Sequence, residues 1–230
     1  CSGETVSLNA SVTNPPTTIV QSTFSNNNSY AIPDTNPNGV YSPITVSGIN
    51  PITLSTGIVV SARVNITHTY DGDLVLYLIS PSGTSVMLSN RRGGSGDNFT
   101  NTVFTMTAST SISTGAAPFN GNFIPDGSIS NYTGNANGAW QLRVVDAAGT
   151  DVGNITSWTL TLKNTVPSSL QYAWSSNPTG FSANTAATNI APTASGTYLV
   201  HVTDAANGCS GTDSVFVQVD ATPSAPYPLN

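Results

Sequence analysis

The sequence predicts an all-β protein. Apolar residues recur at period 2 in short runs, and no stretch sustains the period of an amphipathic helix. Gly, Pro, Asn and Ser break the chain about every 8–12 residues, the spacing of sandwiches and barrels. The alternating runs place strands at 5–10, 58–68, 74–80, 85–89, 140–146, 157–163, 171–175, 196–203 and 213–219. Residues 91–137 read mainly as turns, because they hold Gly93-Gly94-Ser95-Gly96-Asp97, Pro118, Gly121, Pro125-Asp126-Gly127 and Gly134. Between the second and third strands lies a tight acidic turn, Asp71-Gly72-Asp73. Carboxylates two residues apart in extended chain point to the same side. They repel there unless a cation or a hydrogen-bond donor separates them.

Composition limits the function classes. The chain has 230 residues, enough for one large or two small domains. Only 7% of residues are charged, against about 25% in an average soluble domain. With 38% hydrophobic residues grouped in short runs, this is not a disordered composition. Hydroxyls and amides covering an all-β surface suit an extracellular or cell-surface protein. The net charge is −6 with five basic residues, Arg91-Arg92 being the only basic pair, so there is no nucleic-acid footprint. Anionic membranes are disfavoured for the same reason, and no apolar run approaches the ~20 residues of a membrane-spanning helix. No signal peptide is visible, and the Pro-rich end at 223–230 reads as a linker, so the sequence is taken as a piece of a longer chain.

The two ends of the chain read as halves of one domain. Cys1-Ser2-Gly3-Glu4-Thr5-Val6-Ser7-Leu8 opens it, and Tyr172-Ala173-Trp174, Ser195-Gly196-Thr197-Tyr198-Leu199-Val200-His201-Val202-Thr203-Asp204 and Asn207-Gly208-Cys209 close it. The pattern resembles the Ig-like (PKD-like) repeats of bacterial surface proteins. The resemblance implies a Cys1–Cys209 disulfide, worth about 5 kcal/mol in the chain-entropy model, and a bacterial source.

The middle of the chain resembles the P domain (P/Homo B domain) of the subtilisin-like proprotein convertases. Ile66-Thr67-His68-Thr69-Tyr70 with Gly72-Asp73-Leu74 matches I-x-H-x-x-x-G-D-L, and Leu78-Ile79-Ser80-Pro81-Ser82-Gly83-Thr84 matches L-x-S-P-x-G-T. Residues 135–146, with Gly138, Trp140 and Asp146, match G-x-W-x-L-x-V-x-D. Residues 151–160, with Asp151, Gly153 and Trp158, match D-x-G-x-L-x-x-W-x-L. The resemblance implies a jelly-roll β-sandwich over 17–166, inserted into a discontinuous Ig-like β-sandwich made of 1–16 and 167–222, with 223–230 as linker.

The residues themselves point to structure rather than catalysis. Trp140 and Trp158 sit in alternating apolar runs and are expected in the core, each with its indole N–H bonded. Ser80-Pro81-Ser82-Gly83 is a turn, with Pro presetting φ and Gly taking positive φ. Ser95 lies in G-G-S-G-D rather than a nucleophile elbow, so His68, Asp73 and a serine do not assemble a credible triad. His68 is expected to hydrogen-bond backbone or carboxylate.

Calcium takes six to eight oxygens, and Asp71, Asp73, Asp97, Asn98, Asp146 and Asp151 are the candidate donors. The other reading of the same residues is that Asp73 caps a turn and Asp151-Val152-Gly153 forms an Asx-turn. The expected function is a non-catalytic accessory module of a secreted or surface protein, with a peptidase domain of the same polypeptide as its partner. The alternative is an adhesion or glycan-binding module, with Tyr70, Phe119, Phe123 and Tyr132 as contacts to surface glycans or proteins.

Overall fold

Sixteen strands and two single 3-10 turns, Asp71–Asp73 and Ile112–Thr114, form the computed structural model, which describes residues 3–220. In chain order the strands are β1 (Val6–Asn9), β2 (Thr17–Asn26), β3 (Tyr30–Ile32), β4 (Val40–Val46), β5 (Val59–His68), β6 (Leu74–Ile79), β7 (Ser85–Asn90) and β8 (Phe99–Phe104). There follow β9 (Phe119–Phe123), β10 (Gly138–Asp146), β11 (Gly153–Pro167), β12 (Leu170–Asn177), β13 (Ser182–Ala183), β14 (Ala187–Ile190), β15 (Gly196–Asp204) and β16 (Ser210–Val217). The protein is all-β. Two compact units emerge, Ile19–Val166 and the combination of Cys1–Thr18 with Pro167–Asn230. Among the described residues no helix is long and apolar enough to cross a membrane.

The unit Ile19–Val166 holds two sheets around one core. One sheet has the order β4-β10-β6-β7; the other has β2-β11-β5-β8-β9, with β3 also paired to β11. Period-2 alternation sends Val64 and Ile66 of β5, Leu74, Leu76 and Leu78 of β6, Trp140, Leu142 and Val144 of β10, and Trp158, Leu160 and Leu162 of β11 into that core. Both tryptophans are buried with satisfied indoles: Trp140 Nε1–H donates to the Ala136 carbonyl at 2.8 Å, and Trp158 Nε1–H to Ser42 Oγ at 2.9 Å. Gly83 takes φ +85° and its N–H donates to the Ser80 carbonyl at 2.9 Å, closing the expected turn.

Several strands lie outside the sequence expectation. β4 carries Pro43 in mid-strand, a residue that argues against a central strand; β4 is an edge strand, where the missing N–H costs nothing. β2 is mostly exposed and so shows little apolar period. The stretch 91–137, expected as turns, contains β8 and β9, a parallel pair whose partner is set by long-range contact and not by a hairpin. The expected strand 213–219 starts earlier, at Ser210, and ends at Val217.

The smaller unit has a two-stranded sheet, β1-β14, and a four-stranded sheet, β13-β12-β15-β16. Its core is Leu8, Trp174, Ile190, Tyr198 and Val200. Cys209 is exposed; Cys1, the other half of the expected disulfide, lies outside the described residues, as do the linker 223–230 and the last two residues of 167–222.

Candidate functional site

β5 ends in His68 and β6 begins at Leu74, so the acidic turn Asp71–Asp73 joins two central strands of different sheets. The glycine-rich segment that follows β7 straps this turn. Asp71 N–H donates to the Gly96 carbonyl and Gly72 N–H to the Gly94 carbonyl, both at 2.8 Å. A side chain at Gly72 would press on the Gly94 carbonyl oxygen at 2.8 Å, so the strap can approach only a glycine. Asn98 closes the loop: its N–H donates to Asp71 Oδ1 at 2.9 Å, and its Oδ1 accepts from the His68 N–H at 3.0 Å.

His68 links the two sheets. Its Nε2 lies 3.2 Å from Asp146 Oδ2, at the end of β10, and both side chains are fully buried. Its Nδ1 lies 3.0 Å from the Tyr70 carbonyl oxygen. With both nitrogens engaged and no solvent access, the ring is placed to hold β5 to β10. It has no free nitrogen with which to activate a serine. Gly153 sets the closeness of this contact, since a Cβ there would overlap the Thr67 carbonyl oxygen and the His68 ring.

Five of the six candidate calcium donors have hydrogen-bond partners, Asp71 and Asn98 bonding each other. Arg91, which also donates to the Gly72 carbonyl, gives Asp73 Oδ1 a bond of 3.2 Å. Asp146 takes His68, and Asp151 Oδ1 accepts from Thr69 Oγ1 at 2.9 Å. Asp151 is thereby tied to the loop that follows β5. Asp71 accepts from Asn98 through Oδ1, while its buried Oδ2 has no partner. Burial, with a further push from the charge of Asp97, raises the Asp71 carboxyl from 3.8 to about 7, against the pull of the Asn98 N–H. Among the described residues no group of three or more His, Cys, Asp or Glu side chains converges to hold a metal ion; calcium also takes carbonyl and amide oxygens.

Sequence reasoning missed Arg91, Thr69 and the double role of Asn98. The signal for Arg91 was present: a basic pair in a chain with five basic residues and no nucleic-acid footprint is placed for carboxylates. Arg91 meets Asp73, and Arg92 meets Asp126 through two bonds of 3.1 and 2.8 Å. Of the four aromatics expected as glycan contacts, Phe119, Phe123 and Tyr132 are buried, with the Tyr132 hydroxyl donating to the Leu78 carbonyl at 2.6 Å. Their apolar area stabilises the core, and only Tyr70 is exposed.

His68, Gly72, Asp73, Asp146 and Gly153 thus meet at one strapped, buried corner, and residues 58–162 match the family model for the proprotein convertase P-domain. That segment is a P domain. The matched stretch takes in His68, the acidic turn, Asp146 and Trp158. The chain is 40% identical over 138 residues to leupeptin-inactivating enzyme 1 of Streptomyces exfoliatus, covering 60% of this chain and 25% of that protein. It is 35% identical over 142 residues to the transglutaminase-activating metalloprotease of Streptomyces mobaraensis, covering 61% of this chain and 15% of that protein. The chain therefore spans a minor part of the length of the relatives it matches. The crystal structure of the Aeromonas sobria serine protease with its chaperone aligns at a TM-score of 0.42 and 20% identity, covering 65% of this chain and 27% of that one.

Proposed function

We propose that this chain is a non-catalytic accessory module of a secreted or surface-attached bacterial protein that carries a peptidase elsewhere in the same polypeptide. One observation carries the proposal: the P-domain match falls on the part of the chain whose most reactive residue types are consumed in holding strands together. The names of the Streptomyces relatives, an inactivating enzyme and an activating metalloprotease, support the protease context. In this reading the P domain lowers the rate at which its peptidase neighbour unfolds, and the unit built from the two chain ends is the Ig-like repeat that carries it. The accessory role in this reading does not rest on calcium, since Asp73, Asp146, Asp151 and Asp71 are engaged by Arg91, His68, Thr69 and Asn98. The glycan alternative loses three of its four aromatic contacts to the core.

The test is to purify the full gene product with and without residues 19–166 and to follow peptidase inactivation on heating. The proposal expects faster inactivation without the P domain at unchanged kcat/KM. Purified chain 1–230 is also expected to leave peptide and ester substrates uncleaved. Turnover that survives exhaustive purification and disappears in a point variant of this chain would overturn the non-catalytic part.

A further inference from the structure

Among the described residues, the unit formed by the two chain ends has a sheet margin with no strand paired to it. Among the described residues β16 pairs only with β15, at the edge of the sheet β13-β12-β15-β16. The register sets Gly211, Asp213 and Val215 opposite Val202, Val200 and Tyr198, and cross-strand partners share a face. That face is the core face, since Tyr198 and Val200 are buried, yet Val215 is 43% exposed and Asp213 is exposed. Among the described residues the strand thus presents an inward apolar residue that is only partly covered. Beside it runs a groove of about 650 Å³, lined by Leu8, Leu170, Trp174, Val200, Val202 and Val215.

The groove is also acidic. Asp204 and Asp213 both line it. Asp204 is only 2% exposed; its Oδ1 accepts from the Ala206 N–H at 2.9 Å, while its Oδ2 has no partner. A buried carboxylate oxygen without a donor is unfavourable until a donor or cation reaches it. This unit has no Lys or Arg of its own to offer, because Arg63, Arg91, Arg92, Arg143 and Lys163 all belong to Ile19–Val166.

We propose that the groove binds an extended segment of a partner polypeptide that adds to the free edge of β16 as a further strand. Inward side chains of that segment cover Val215 and close the open side of the groove, and a lysine or arginine reaches toward its acidic end at Asp213 and Asp204. Backbone pairing supplies affinity in such strand addition, and the pockets for alternate side chains supply specificity. Charge decides among occupants. A second copy pairing edge to edge through β16 would bring further Asp213 carboxylates to the site, with no cation to offset them. Residues 221–230 contain no Lys or Arg.

The probe is an eight-residue peptide, about 26 Å when extended, with valine at alternate positions, Ser, Thr or Asn between them, and lysine at the last inward position. A control peptide has glutamate in place of the lysine. The chain 1–230 is titrated with both by calorimetry, and amide hydrogen exchange is read over 210–217. The expected result is saturable binding of the lysine peptide, slowed exchange in β16, and affinity at least about tenfold weaker for the glutamate peptide. Asp204→Asn keeps the Oδ1 acceptor for Ala206 and should erase the preference for lysine, as should Asp213→Asn in part; thermal melting confirms that each variant is folded. Equal affinity for the two peptides, no binding by either, or binding without protection of β16 overturns the proposal. Protection of β16 that depends on protein concentration alone makes a second copy the occupant. Binding that appears only after residues 221–230 are removed makes that segment the occupant. Either result also overturns it.

Discussion

Asp71→Asn isolates the electrostatics of the strapped corner. The wild-type carboxylate is buried, with Oδ2 unpartnered and its pKa raised from 3.8 to about 7. Because the folded-state value lies above the unfolded one, the associated stability is fully present below about pH 4 and is lost as pH rises through about 7. The difference between 3.8 and about 7 corresponds to no more than about 4 kcal/mol. Asparagine keeps an Oδ1 acceptor for the Asn98 N–H and removes the charge. Any constant effect of the amide cancels when the variant is compared with wild type at two pH values. Urea unfolding with chelator present, at about pH 4 and about pH 8, should show the variant gaining on wild type by roughly 2–4 kcal/mol between them. A gap that does not change with pH refutes the reasoning, as does a variant that loses ground at pH 8. A wild-type advantage that returns with millimolar calcium and is absent in the variant would make Asp71 a metal ligand, contrary to the account.

The same corner and core give three further predictions. Removing one member of the buried His68–Asp146 pair, as in Asp146→Ala, should cost about 3–5 kcal/mol, while the double variant His68→Leu/Asp146→Leu costs clearly less than the sum of its single changes; additive costs in a denaturation cycle would show that the pair is uncoupled. Gly153→Ala should lower stability by about 3 kcal/mol, because its Cβ meets backbone and the His68 ring, neither of which can move away freely; a melting temperature equal to wild type would contradict that close approach. Trp158→Phe should cost about 1–2 kcal/mol by removing the indole hydrogen bond and part of the buried ring, since Ser42 Oγ keeps its Asn26 donor; a melting temperature equal to wild type would contradict it.

How far the sequence disclosed this molecule depends on whether the determinant was local. β5, β6, β10 and β11 each have one face in the core, so their period survives in the sequence, and Trp140 and Trp158 fall on the buried phase. β4 hid behind Pro43, whose meaning depends on an edge position that only the assembled sheet defines. β9 hid because Phe119-Asn120-Gly121-Asn122-Phe123 reads as a turn until β8 lies parallel beside it. At the corner, the sequence showed two carboxylates in need of partners but not which partners. Arg91 lies 18 residues from Asp73, and His68 lies 78 residues from Asp146. Such pairs are fixed by strand order, not by spacing. Exposure was equally hidden for the aromatics: nothing local separates exposed Tyr70 from buried Phe119.

The accessory role is tested most directly by the heat-inactivation half-life of the peptidase in the full gene product, measured with and without residues 19–166. The account predicts a shorter half-life without the P domain at unchanged kcat/KM. Equal half-lives, or a full gene product with no peptidase activity at all, would contradict it.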